Sequence, residues 1–130
     1  MRIIALQHLL IIACCVALSG CPRMAYVELY NNTGTSISVD IHGALSDIPP
    51  NQKVGLRFGG QYLVVSSSLG QWRYDRTLIP YGGENGAYFD GTIYAQVNED
   101  GHIYALKQSE SPPLSNFSEQ PPGFPVGPGS

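Results

Sequence analysis

Beyond residue 21 the chain contains no cysteine. Whatever folds there does so without a disulfide, a common stabiliser of small exported domains, and offers neither a thiolate nucleophile nor a thiolate metal site. Basic residues are scarce too: seven lysines and arginines stand against ten acids, for a net charge of −3 over 130 residues. With no Lys/Arg patch, such a chain is a poor partner for nucleic acid. Helical periodicity is missing after the first twenty residues, since no window places apolar residues at i, i+3, i+4 and i+7. The spacings HxxxH and HExxH are absent, and a zinc site needs three or four ligands. No metal and no cofactor is therefore expected.

What is present begins with an unusual leader. Arg2 supplies a positive start, Ile3 to Leu18 is an apolar run broken only by Gln7 and His8, and Leu18-Ser19-Gly20-Cys21 follows. That is the layout of a secretory signal. A membrane-spanning helix needs roughly 20 apolar residues, more than this run supplies. The Leu-Ser-Gly-Cys ending resembles the lipobox of bacterial lipoproteins. The resemblance implies cleavage before Cys21, a diacylglyceryl group on its thiol and a further acyl chain, palmitate among the candidates, on the new N-terminus. It covers the leader alone, and Cys21 is the one functional residue it transfers. It also implies a membrane partner, with two or more chains giving stable anchoring at roughly 0.8 kcal/mol per buried methylene. Pro22 and Arg23 follow the cysteine where an aspartate would retain the protein in the inner membrane. The expected address is the outer membrane, facing the periplasm. Cleavage would remove Arg2, Cys14 and Cys15, leaving a more acidic domain without a free thiol.

Four segments follow: a signal peptide over 1–20, a lipidated linker over 21–25, a folded domain over 26–108 and a tail over 109–130. In the domain the period is two. Val27 and Leu29 alternate with Tyr26, Glu28 and Tyr30; Ile37, Val39 and Ile41 alternate with polar neighbours. Alternation of this kind marks strands with one buried and one wet face. Further runs lie at 53–58, 61–67, 71–79, 92–98 and 102–107, and Ile48-Pro49-Pro50-Asn51 is a break. Asn31-Asn32-Thr33-Gly34, Gly59-Gly60 and Glu99-Asp100-Gly101 read as hairpin turns. Pro80 to Gly86 reads as the longest irregular loop. About seven short strands predict an all-β fold, a small antiparallel β-sandwich, with a small barrel as the alternative. Val39, Val65, Val97 and Trp72 are expected in its core.

Composition changes at Ser111, after which six of the last twenty residues are proline, three are glycine and none is lysine or arginine. A segment without apolar periodicity cannot offset its ordering entropy by burial. The expectation is a disordered, polyproline-like tail, dispensable for folding.

Eight tyrosines lie between Tyr26 and Tyr104. Most serve as strand residues packing across sheets. Tyr26, Tyr30 and Tyr94 stand opposite the aliphatic positions of their strands and form the candidate binding surface. His42 and His102 read as solvent-facing residues at strand ends. The acids are scattered, so nothing selects a glycosidase-type pair. Ser66-Ser67-Ser68-Leu69-Gly70 lacks the glycine before the serine of a G-x-S-x-G elbow, and Tyr81 to Gly86 lacks the Gly-Lys-Ser/Thr ending of a phosphate loop. Asp100 to Leu106 resembles one repeat of the quinoprotein-type propellers, but a propeller needs several blades. The expectation is a non-enzymatic binding or structural module whose partner is an envelope protein or a saccharide. Two other classes stand beside it: a periplasmic hydrolase or hydrolase inhibitor, and an accessory subunit of an envelope secretion or assembly complex.

Overall fold

In this computed structural model the described residues are 25–58, 62–75, 78 and 86–129. The leader, Cys21, the Gly59-Gly60 turn and nearly all of the 80–86 loop lie outside them. The strands are β1 (Ala25–Asn32), β2 (Ile37–Ile41), β3 (Ala44–Ile48), β4 (Lys53–Phe58), β5 (Leu63–Ser67), β6 (Gly70–Tyr74), β7 (Thr92–Asn98) and β8 (Ile103–Leu106). They form two four-stranded sheets, ordered β4-β1-β7-β8 and β3-β2-β5-β6.

The period-two residues meet between the sheets. Val27, Leu29, Ile93, Val97 and Ile103 from one sheet and Ile37, Val39, Leu63, Val65 and Tyr74 from the other are buried in one cluster. Each such side chain contributes about 1.5–3 kcal/mol on burial. Val39, Val65 and Val97 are core residues as expected, and Trp72 packs against the cluster while half-buried. The expected all-β sandwich is the observed fold.

Its connections differ from expectation. Asn31 to Gly34 does not close a hairpin: β1 and β2 belong to different sheets, and the segment arches between them. Asn31 holds that arch. Its fully buried carboxamide donates to the carbonyls of Thr35 (2.7 Å) and Ile48 (2.9 Å) and accepts from Thr33 N–H (3.0 Å) and Thr33 Oγ1 (2.7 Å). Likewise β4 and β5 lie in different sheets and are not hairpin partners. An additional strand, β3, precedes the proline break and pairs with β2 through a two-residue turn in which His42 (φ 51°) and Gly43 (φ 84°) are left-handed. The sandwich is also not purely antiparallel, because β1 and β7 run parallel, from Tyr26 beside Thr92 to Asn32 beside Asn98. The Glu99-Asp100-Gly101 hairpin is as expected: Gly101 N–H donates to the Asn98 carbonyl at 2.9 Å, and β7 pairs antiparallel with β8.

The largest correction concerns residues 109–129, which are ordered as a strap. The strap first crosses the outer face of β7 and β8, where Phe117 stacks on Tyr104 with centroids 3.9 Å apart. Tyr88 donates its hydroxyl to the Glu119 carbonyl at 2.5 Å. The Gln120 amide then meets the edge of β8, accepting from Ala105 N–H (2.8 Å) and donating to the Ala105 carbonyl (2.9 Å). Val126 pairs with Ile103 through two backbone bonds of 2.9 Å and enters the core at 2% exposure. Finally Gly129 N–H donates to the Arg73 carbonyl on β6 at 2.7 Å. The strap thus closes the side of the sandwich where β8 and β6 would otherwise present open edges, a hazard that sheets ordinarily cover. Composition misled because the docking uses side-chain amides, stacked rings and one buried valine, none of which needs a periodic pattern.

Candidate functional site

The cross-strand register places side chains in rows on the outer face of the β4-β1-β7-β8 sheet. One row runs Arg57, Tyr26, Thr92; the next runs Gly55, Glu28, Tyr94, Leu106; the third runs Lys53, Tyr30, Gln96, Tyr104. Alternation in β1 and β7 therefore brings the three candidate tyrosines onto one face, as their sequence positions implied.

Their surroundings differ. Tyr26 is 44% exposed and lies across the β4 backbone at Gly55. A Cβ on Gly55 would stand 2.9 Å from Tyr26 Cε1 and closer still to Cζ and Oη. Gly55 is thus the empty place into which the ring fits. Tyr94 is half-buried. Tyr30, expected to be exposed, is only 8% exposed. Ser111 and Pro112 of the strap share a pocket wall with it, which explains its loss of solvent.

Between this face and the strap lies a cleft of ≈ 210 Å³, lined by Glu28, Tyr30, Lys53, Tyr94, Gln108 and Glu110 among others. A more open pocket of ≈ 440 Å³ adjoins it at Tyr30, Lys53, Ser111 and Pro112 and extends to Asn51 and Gln52. Lys53 Nζ donates to Glu28 Oε1 at 2.8 Å. That hydrogen bond, reinforced by the charge of Glu28, holds the Lys53 ammonium above its ordinary pKa. Glu110 is anchored by Lys107 N–H (2.8 Å) and Ser118 Oγ (2.6 Å). The lining is thus built of phenol, carboxylate and amide groups held in place by the fold, suited to directed hydrogen bonds.

The other candidates are occupied elsewhere. Asp40 accepts from Gly43 N–H (2.7 Å), Asp90 from Thr92 N–H (3.1 Å) and Asp100 from His102 N–H (3.0 Å), all turn interactions. Asp75 pairs with Arg73 at 2.8 Å, and Arg73 lies over the Tyr62 ring, which meets His42 edge-on at 4.9 Å. Ser67 Oγ accepts from Leu69 N–H. Among the described residues no group of three or more His, Cys, Asp or Glu is placed to hold a metal ion, and no helix is long and apolar enough to cross a membrane. Sequence reading missed Glu28, Lys53, Gly55, Gln108 and Glu110. Glu28 and Lys53 become neighbours only through the register of two strands more than twenty residues apart in the chain, and Gly55 is informative only once Tyr26 is seen above it.

Comparison with protein-family models, with curated proteins and with solved structures finds no match for this chain.

Proposed function

We propose that this chain is a lipid-anchored envelope protein, attached through Cys21 to the outer membrane and facing the periplasm, that works as a non-catalytic binding or structural module for an envelope protein or a saccharide. The observation that supports the reading is the cleft on the outer β4-β1-β7-β8 face, where Tyr30 and Tyr94 stand with Glu28 and Lys53 under a wall formed by the strap, and Tyr26 occupies the next row of the same face. Aromatic rings give large contact area at low entropic cost, and tyrosine is enriched at interfaces. Because β1 begins at Ala25, only residues 22–24 would separate the lipid from the first strand. The site would then stand close to the membrane surface.

The test has two arms. Cys21→Ser should leave an uncleaved precursor without fatty-acid label; undiminished labelling would remove the anchor from the proposal. Crosslinking of the acylated chain in its own envelope should capture a partner, and Tyr26→Ser with Tyr94→Ser should weaken capture while the protein remains folded. Capture untouched by both changes would remove the face. A second reading, an accessory subunit of an envelope assembly, is favoured by β3, an edge strand on which Leu45 is 71% exposed; edge strands of this kind accept an added strand from a partner.

A further inference from the structure

We propose that the Tyr26 ring, laid across Gly55, is the stacking platform of a site for a neutral oligosaccharide, whose hydroxyls are met along the adjoining cleft by Glu28, Tyr94 and Gln108. The inference rests on the binding role proposed above and narrows it to one ligand class.

Three observations carry it. The first is steric. Gly55 lies in the interior of β4, where glycine costs backbone entropy and offers no side chain to pack. Its φ is not left-handed, so no backbone strain calls for glycine here. What the missing Cβ provides is room for the hydroxyl end of the Tyr26 phenol. A tyrosine seated against backbone and still 44% exposed presents a held apolar surface to solvent. The C–H face of a pyranose can cover such a ring, with the removal of apolar area from water as the driving force.

Electrostatics supplies the second observation. The charged side chains lining the cleft are Glu28, Glu110 and Lys53, with Arg57 beside Tyr26 in the next row. Lys53 is already paired with Glu28 at 2.8 Å. An anionic polymer therefore finds no surplus of positive charge in the cleft. A neutral polyol needs no such surplus, because each hydroxyl both donates and accepts.

Third, the cleft is polar on facing walls. Tyr94 and Glu28 lie on the sheet, Gln108 follows β8 with its Nε2 donating to the Gly86 carbonyl at 2.8 Å, and Glu110 lies in the strap. Carboxylate and carboxamide groups across a narrow cleft match the spaced hydroxyls of a sugar. The central strands beneath the cleft, β1 and β7, have partners on both sides, so what the cleft offers a ligand is side-chain groups.

The experiment uses the full-length chain in a non-glycosidic detergent, with chitotetraose and cellotetraose as probes and saturation-transfer NMR as the readout. At least one probe should receive saturation from aromatic protons with millimolar affinity. Gly55→Ala should weaken it by about tenfold or more with the melting temperature kept, since alanine suits this backbone and only the ring must move. Glu28→Gln should weaken it by a smaller factor, and Leu69→Ser, in the remote β5–β6 turn, should leave it unchanged. No transfer to either probe, or equal affinity in Gly55→Ala, would overturn the proposal. If sugars fail while Tyr26 and Tyr94 still govern capture of an envelope protein, the binding role stands without its saccharide. If both fail, the role falls too.

Discussion

Gln96 and Leu114 are joined by two opposed hydrogen bonds: Gln96 Nε2 donates to the Leu114 carbonyl at 2.9 Å, and Leu114 N–H donates to Gln96 Oε1 at 2.8 Å. The remaining amide hydrogen of Gln96 goes to Asn98 Oδ1 at 2.8 Å. A glutamine on the outer face of a sheet has become fully buried with its polar atoms matched, because a proline-rich segment lies over it. That segment belongs to the folded domain and walls the cleft.

Removing residues 109–130 should therefore destabilise the protein severely. The cut uncovers Gln96 and Leu106, empties the Val126 position in the core and frees the β8 edge at Ile103 and Ala105. Milder changes grade the effect. Val126→Ala should cost about 2 kcal/mol from lost burial and the cavity left behind. Gln96→Ala should cost roughly 1–3 kcal/mol, since it strands the polar groups of Leu114. Thermal melts check the magnitudes, and slow amide exchange at Leu114 and Val126 checks the docking. An unchanged melt after truncation would restore the dispensable tail.

Tyr74 should make stability fall at high pH. Its side chain is fully buried and donates to the Gly101 carbonyl at 2.5 Å, tying β6 to the β7–β8 turn across the two sheets. Burial, and then the negative charge of Asp100, push its hydroxyl well above the usual phenol range. The folded state thus holds this proton more tightly than the unfolded chain does. The contribution is complete below pH ~10, the ordinary phenol value, and is lost as pH rises beyond it. Tyr74→Phe should lower stability by about 1–2 kcal/mol at neutral pH and flatten that alkaline decline. Denaturant melts from pH 8 to 11 on both proteins test this.

Asn31 should be among the least replaceable polar residues. Its four side-chain hydrogen bonds brace the arch between sheets and tie it to Ile48 at the end of β3, and alanine would take this partner from the Ile48 carbonyl and from the Thr33 N–H. The expected cost is about 3 kcal/mol. Asn31→Asp keeps the shape but aims a carboxylate at the Thr35 and Ile48 carbonyls, so its loss should deepen as pH rises and the acid ionises. Urea unfolding of both variants at pH 4 and pH 7 separates the effects. A pH-independent deficit in the aspartate variant would deny that this amide donates to those carbonyls.

The legible part of the fold was the part set by local alternation. Period two located β1, β2, β7 and β8 and assigned Val39, Val65 and Val97 to the core, because one buried face selects apolar residues at every second position. Long-range choices left no such trace. A turn such as Asn31 to Gly34 serves a hairpin or an arch equally well, and the parallel pairing of β1 with β7 joins residues more than sixty positions apart. β3 escaped notice because its inward positions are Ala44, Ser46 and Ile48 while its one large aliphatic besides Ile48, Leu45, points to solvent. For the candidate site, alternation put Tyr26, Tyr30 and Tyr94 on one face, but their exposure depends on the strap and on Gly55.

The three tyrosines should consequently separate on mutation. Tyr30 is 8% exposed beneath the strap, so Tyr30→Ser should cost roughly 3 kcal/mol, in the range of other buried aromatics. Tyr26 has its ring on a glycine and 44% of its surface in water, so Tyr26→Ser should cost below about 1 kcal/mol while abolishing what the platform binds. Tyr94, half-buried on the cleft wall, should fall between them on both counts. The order of stability loss, Tyr30 over Tyr94 over Tyr26, is then the reverse of the order expected for loss of binding in variants that remain folded. Paired melting and binding measurements on the three serine variants decide it. Equal destabilisation at Tyr26 and Tyr30 would mean that both rings serve the core, leaving the exposed face without its platform.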